Sequence, residues 1–398
     1  MNSERIFCKK CVLHDKVPNV FINDEGICNE CVSYKNDTII DSKIKKDLKK
    51  RVEKLFEKVK SENHIYDIMV LYSGGKDSTL LLKMLKEKYK LKVLALQIVH
   101  PLVGENAKIN TEKTADIIGV DLIKIFQDKN IYKKFMREAI INSDKYNIGE
   151  NGCGICSFLF RWTGFRIAMQ MDIPIIADGF DKSQGSNIYR FADLINKNAQ
   201  KGILPYGKMH DVFNEIIGDD PRLGIYRFNQ KDREKYVFPT YVSPFTFMDY
   251  DYREYEEEIC NIGINTSSIA RLNNMCKAIH LFDLISFKKY DCHSFIRNWA
   301  NGLRAGYPTL AQAELNRNKQ KHNSTRKELI DIMEEYKNIL FYIAKTDDDD
   351  ECIRKKAYDM SPNVRKILSQ ESYKKILNNI MVNMRKMIVF FEIDIDKI

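Results

Sequence analysis

Residues 66–85 read YDIMVLYSGGKDSTLLLKML. An apolar run of strand length, 66–72, breaks at Ser73, Gly74, Gly75, Lys76, Asp77 and Ser78. It passes at once into 79–92, where Leu80, Leu81, Leu82, Leu85 and Tyr89 form a helical stripe. A second apolar run, KVLALQI, follows at 92–98. Strand, turn, helix and strand in this order predict a parallel sheet that binds its ligand at the carboxyl ends of the strands. Gly74 and Gly75 let the backbone pass close to a ligand, and Ser73 and Ser78 offer hydroxyls. The first amides of the helix add partial positive charge, so the turn suits a phosphate or pyrophosphate. It is not a Walker loop, because Asp77 stands between Lys76 and Ser78 and the longer spacer is missing.

Composition limits what surrounds this unit. The chain has 398 residues with 44% hydrophobic and 11% aromatic content, enough for a sizeable core and for two to three domains. No run of about 18 uncharged apolar residues occurs, and the start, MNSERIFCKKC, lacks a signal-peptide pattern, so the expected compartment is the cytoplasm, with no membrane partner. Ten cysteines in that setting read as metal or catalytic ligands rather than a disulfide framework. The net charge of +9 permits an anionic substrate such as a nucleotide without demanding nucleic acid.

Four of the cysteines lie in CKKCVLHDKVPNVFINDEGICNEC, residues 8–31. Cys8 with Cys11 and Cys28 with Cys31 each place two thiolates on one tight turn, and together they complete the tetrahedral four-sulfur shell of a structural zinc ribbon. Lys9 and Lys10 are placed to offset the negative charge of such a site. The connector that follows, 37–65, carries Ile44, Leu48, Leu55 and Val59 at helical spacing among many lysines. It reads as an amphipathic helix with a solvated basic face, the alternative being contact with RNA phosphates.

The turn resembles the SGGxDS motif of the PP-loop ATP pyrophosphatases, matched at Ser73, Gly74, Gly75, Asp77 and Ser78. That resemblance implies an adenine nucleotide alpha hydrolase-like α/β fold. It also implies a reaction in which a substrate carbonyl oxygen attacks the α phosphorus of ATP, with Asp77 positioning Mg2+ or a water. Further, the ribbon ahead of the turn, 107–125 (AKINTEKTADIIGVDLIKI) and 152–179 (GCGICSFLFRWTGFRIAMQMDIPIIADG) together resemble the N-acetyl sugar amidotransferase family. The likeness covers roughly residues 5–180. Membership implies a small-molecule acetamido or amide acceptor and ammonia from a separate glutaminase; the chain shows no glutaminase motif of its own.

Cys153 and Cys156 divide the readings. They stand at the start of a helical stripe, where a thiolate is favoured, and so read as reactive or ligated, the plainer alternative being two packed cysteines. A Cys-x-x-Cys about seventy-five residues after SGGxDS also resembles the PP-loop sulfur transferases that thiolate tRNA. In those enzymes the pair and a distant third cysteine hold a 4Fe-4S cluster; here Cys276 would be the third, with Cys260 and Cys292 as alternatives, and a sulfur-donor protein the partner. Asp178 and Asp181, in ADGFDKSQ (177–184), read as solvated loop carboxylates or as magnesium-facing groups. Cys292 and His293 read as structural, and the acidic run 347–350 as a solvated loop.

The expected organisation is a zinc ribbon at 1–36, the connector helix at 37–65, a PP-loop ATP-binding domain at 66–250 and a helical region at 251–398. Helical stripes are read at 252–264, 267–287 and 325–344. The leading expectation is an ATP-dependent, AMP-forming transferase of nitrogen. Its alternatives are a sulfur transferase using the same adenylylation and a zinc-ribbon RNA-binding module.

Overall fold

The computed structural model describes residues 4–146, 150, 152–180, 196, 207–218, 223, 225–226, 230–248, 262, 276–305, 326–346, 348–367 and 370–397. At its centre Ile68–Leu71 (β1), Val93–Val99 (β2), Asp121–Phe126 (β3), Ile175–Ala177 (β4) and Thr240–Val242 (β5) form one sheet in the order β3-β2-β1-β4-β5. All four pairings are parallel, with Val70 opposite both Ala95 and Ala177. The chain winds outward from β1 to β2 and β3, then returns to β4 on the other side of β1. That reversal opens a crevice beyond the carboxyl ends of β1 and β4, where open α/β sheets bind their ligands.

The central strands are apolar throughout because both faces are covered. Ile68, Val70, Tyr72, Val93 and Ala95 pack on one face with Asn29–Ser61 (α1) and Lys76–Lys83 (α2). Met69, Leu71, Leu94 and Leu96 face the opposite layer. There Lys129–Ile141 (α4) and Gly152–Gln170 (α5) lie against the sheet or one another, whereas Glu105–Ile118 (α3), which leads into the edge strand, packs beside α2 on the first face. Asp128 caps α4 by accepting from the amides of Asn130 and Ile131, both at 2.9 Å. The amphipathic pattern expected of a surface helix is absent from α5, which buries Ile155, Leu159, Trp162, Phe165 and Ala168 around its circumference. Gly164 of α5 sits so close to Leu71 that a methyl group there would fall 2.6 Å from Leu71 Cδ2.

Gly207–Ile217 (α6) packs on α4, and Gln230–Lys235 (α7) precedes β5. The later helices are Ile279–Tyr290 (α8), Ile296–Ala305 (α9), Arg326–Lys345 (α10), Asp350–Asp359 (α11), Pro362–Ile367 (α12) and Gln370–Phe391 (α13). Through α8 and α13 they dock onto α5 and α4, so their apolar side chains join the same core as the lower face of the sheet. No described helix is long and apolar enough to cross a membrane.

Several sequence expectations are adjusted here. The connector helix begins at Asn29, inside the ribbon, and Cys28 caps it by accepting from the Cys31 amide. Its inner stripe, Leu48, Val52, Phe56 and Val59, is buried against the sheet, while Lys46, Lys50 and Lys54 are exposed. Within the acidic run, Asp349 and Asp350 make a helix start: Asp349 accepts from the amides of Glu351 and Cys352 at the head of α11. Apart from Ile262, the stripe at 252–264 lies outside the described residues, as do residues 267–275.

Phe56 is fully buried and meets the Tyr89 ring edge-on at 5.1 Å. Phe56→Ala should therefore lower the unfolding free energy by about 3–5 kcal/mol in a urea titration. A loss below about 1 kcal/mol would show that α1 is a free connector.

Candidate functional site

The turn after β1 is built from the types of residue its path requires. Gly74 has φ +77°, in the left-handed region, and a side chain there would also meet Thr111 Cγ2 at 2.7 Å and the Ala107 carbonyl at 2.9 Å. Gly75 stands at the N-cap of α2 with no side-chain cap, so the helix opens with its amides toward the crevice. Ser73 Oγ accepts from the Gly75 amide at 3.3 Å and lies 3.1 Å from Ser78 Oγ. Ser78 and Thr79 both donate to the Gly75 carbonyl. Lys76 Nζ contacts the Asp77 carboxylate, and both side chains are half-buried. Tyr72 braces the turn from below, its hydroxyl against Thr79 and Thr114.

The end of β4 closes the other side of the crevice. Gly179 passes so near α2 that a Cβ would lie 2.9 Å from Ser78 N and 3.1 Å from the Asp77 carbonyl carbon. Asp178, expected in the sequence as a solvated or magnesium-facing carboxylate, is instead buried and fully engaged. Arg161 Nη2 reaches its Oδ2 at 3.2 Å, Ser243 Oγ donates to Oδ1 at 2.7 Å, and the Tyr241 hydroxyl donates to Oδ2. Arg161 Nε also donates to Tyr241 Oη at 2.8 Å. A buried carboxylate is retained at such cost only with partners of this kind. Asp181 lies outside the described residues.

Beside the turn lies a cavity of about 220 Å³ lined by Tyr72, Ser73, Gln97, His100, Phe160 and Cys276 among others. Beside it the structure gathers buried Cys156 with half-buried Cys153 and Cys276. Tyr132 Oη is 3.2 Å from Cys156 Sγ and stacks on His100 at 5.2 Å. Burial pushes the Cys156 thiol up to about 11 and the Cys276 thiol up to about 12, the latter also through the Cys156 charge. Cys153 is pushed well up by burial and then by the charges of Cys276, Cys156 and Asp283. Burial likewise lowers His100 to about 4, leaving a neutral imidazole. The expectation that a helix start favours thiolates at Cys153 and Cys156 is thus reversed for the metal-free chain, because desolvation outweighs the helix dipole. Their sulfurs do not meet the spacing of a preformed ligand set together with Cys276. Cys260 lies outside the described residues, and Cys292 is buried with its thiol 3.5 Å from Ser286 Oγ.

At the ribbon, Cys8, Cys11, Cys28 and Cys31 are all buried with their sulfurs within 4.8 Å of one another. Cys8 and Cys31 are 3.8 Å apart and Cys11 and Cys28 3.7 Å. A tetrahedron of metal–sulfur bonds of about 2.3 Å has edges of about 3.8 Å, so the four sulfurs fit zinc as they stand. Among the described residues no other cluster of metal-ligating side chains is this compact. Cys31 is held low by S–H donation from Cys11 and Cys28 and by Arg304.

Sequence reading missed Arg161, Tyr132, His100 and Gly179. Only Gly179 left a signal, a glycine directly after a strand. No family model matches the chain. Over 185 residues it is 30% identical to uncharacterized protein MJ1599 of Methanocaldococcus jannaschii, covering 46% of this chain and 62% of that one. The chain therefore spans less than two thirds of that relative's length. Among solved structures it is similar to the U34-tRNA thiolase NcsA from Methanococcus maripaludis, which holds a 4Fe-4S cluster. That match has 15% identity and a TM-score of 0.34, covering 87% of this chain and 93% of that chain. NMN synthetase from Francisella tularensis aligns at 14% identity and a TM-score of 0.25, covering 62% and 94%. At values this low, the chain's own residues carry the functional reading.

With the Cys156 thiol at about 11, roughly one molecule in a thousand is thiolate at pH 8. In metal-free protein, iodoacetamide should therefore label exposed Cys352 at least about tenfold faster than Cys153, Cys156 or Cys276, read peptide by peptide by mass spectrometry. Faster labelling of the Cys153 pair would show that the helix start, not burial, governs these thiols.

Proposed function

We propose that this chain is an ATP-dependent, AMP-forming transferase. The observation that carries the reading is the uncapped start of α2 behind left-handed Gly74, placed at the winding reversal of the sheet and opening beside a cavity. The turn amides and the Ser73 and Ser78 hydroxyls would take the phosphates of ATP. An acceptor carbonyl or amide oxygen attacks the α phosphorus, the bond to the β-phosphate oxygen breaks, and pyrophosphate leaves. Nitrogen then adds to the activated carbon and AMP departs with the original oxygen. The half-buried Asp77 carboxylate is the group that would hold Mg2+, whose charge favours departure of pyrophosphate. At about 220 Å³, below the roughly 300 Å³ where ordinary ligand pockets begin, the cavity suits the reacting end of an acceptor rather than a whole nucleotide.

Nitrogen is placed first because the ribbon, the turn and residues 152–179 resemble the N-acetyl sugar amidotransferases together. The acceptor would then be an acetamido sugar or related amide, and a separate glutaminase the source of ammonia. One observation favours sulfur instead: Cys276 lines the cavity beside Ser73, with Cys153 and Cys156 close enough for their charges to interact. Three thiols with one iron left open could hold a 4Fe-4S cluster that carries sulfide. tRNA would then enter as an acceptor.

Protein prepared without oxygen should convert ATP to AMP and pyrophosphate when given ammonium and an acetamido sugar acceptor from a panel. Asp77→Ala should cut that rate about a hundredfold or more. ADP and phosphate as products would exclude attack at the α phosphorus. About four irons per chain, with turnover on sulfide and none on ammonium, would move the assignment to sulfur transfer.

A further inference from the structure

Cys11 and Cys31 are connected to Glu150, just ahead of the helix that carries Cys153, by a chain of side-chain contacts. Arg304 Nη1 lies 3.7 Å from Cys11 Sγ and 3.6 Å from Cys31 Sγ. Its Nη2 donates to Glu30 Oε2 at 2.9 Å. The other oxygen of Glu30 pairs with Arg297 Nη1, and Arg297 Nε donates to Glu150 Oε1 at 2.7 Å. Glu150 stands two residues before Gly152, where α5 begins. Arg297 and Arg304 are seven residues apart on α9, two turns, so both project from one face of it.

We propose that the ribbon metal positions the first turn of α5, and with it Cys153 and Cys156, through Arg304, Glu30, Arg297 and Glu150. Two of the three groups that hold the Arg297 guanidinium belong to the ribbon: Glu30, between Cys28 and Cys31, and the Pro18 carbonyl, which accepts from Nη2. The third is Glu150. A tetrathiolate zinc centre carries two net negative charges, and Arg304, whose side chain is 3% exposed, faces two of its sulfurs. Without the metal nothing holds the four sulfurs at one point, and the seat of Arg304 between Cys11 and Cys31 loosens. Glu30 and Pro18 then lose their fixed places, and Arg297 keeps only Glu150, itself buried. Metal occupancy at the amino terminus is thereby felt at a thiol pair that is distant in sequence and touches no ribbon ligand. Glu150 and Arg297 act as positioning residues, since neither contacts the turn at 73–78.

Hydrogen exchange on the full-length, zinc-loaded chain tests this. Stripping zinc with a chelator should speed exchange of the α5 amides at 152–158 about tenfold while β1 and β2 keep their protection. Glu150→Gln, which removes one charge at constant shape, should speed the same amides with zinc still bound. By reciprocity it should also weaken zinc affinity roughly five- to tenfold in an equilibrium competition with the chelator. If that variant does not fold, Arg297→Lys, which keeps the charge but loses the fork, takes its place with the same readouts. Unchanged α5 exchange on zinc removal would overturn the proposal. So would acceleration spread equally over β1 and β2, or wild-type zinc affinity in the variant.

Discussion

The site depends on one steric constraint, the near-contact of the β4 end with the first turn of α2. Gly179 comes within a Cβ's reach of Ser78 N and the Asp77 carbonyl carbon, and Gly74 is held left-handed against Thr111 and Ala107 on the other side. At these two glycines there is no room for a side chain, and the turn presents backbone amide, hydroxyl and the Lys76–Asp77 pair. The reversal of winding between β1 and β4 creates the crevice, and the glycines let its walls meet. The proposed chemistry at a phosphorus atom would need donors fixed before the substrate arrives, and this packing holds the turn's donors in place.

A second theme is how the chain treats buried charge. Arg161 and Asp178 are almost wholly removed from water, and each is satisfied by the other, by Tyr241 or by Ser243. Arg304 and Glu150 are buried to a similar degree near the ribbon and are joined through Glu30 and Arg297. Around Cys153, Cys156 and Cys276 desolvation dominates: Lys277 pulls Cys276 down, but burial outweighs it and keeps these thiols protonated. A bound metal would reverse that balance by supplying the missing positive charge.

The parts legible in the sequence were those written in local pattern. The strand at 68–71, the turn, the following helix and the four ribbon cysteines each declare themselves within some twenty-five residues, because turn chemistry and ligand spacing are short-range. What escaped is made by tertiary contact. Asp178 looked like a loop carboxylate because its partners Arg161, Tyr241 and Ser243 lie 17, 63 and 65 residues away. The thiols of Cys153 and Cys156 looked activated because a helix start is visible in sequence, whereas the burial that overrides it is not. Asp349 carries the usual cap signal, an acidic residue directly before a helical run, inside a run of acidic residues whose composition alone suggests a solvated loop.

The most direct test of the central claim, that the turn at 73–78 is a nucleotide phosphate site, needs no acceptor. Amide hydrogen exchange of the full chain with and without ATP and magnesium should slow the amides at 75–78 about tenfold or more, with smaller protection at 178–180 and none on α13. Protection that falls elsewhere, or none at saturating ATP, would contradict the account at its root.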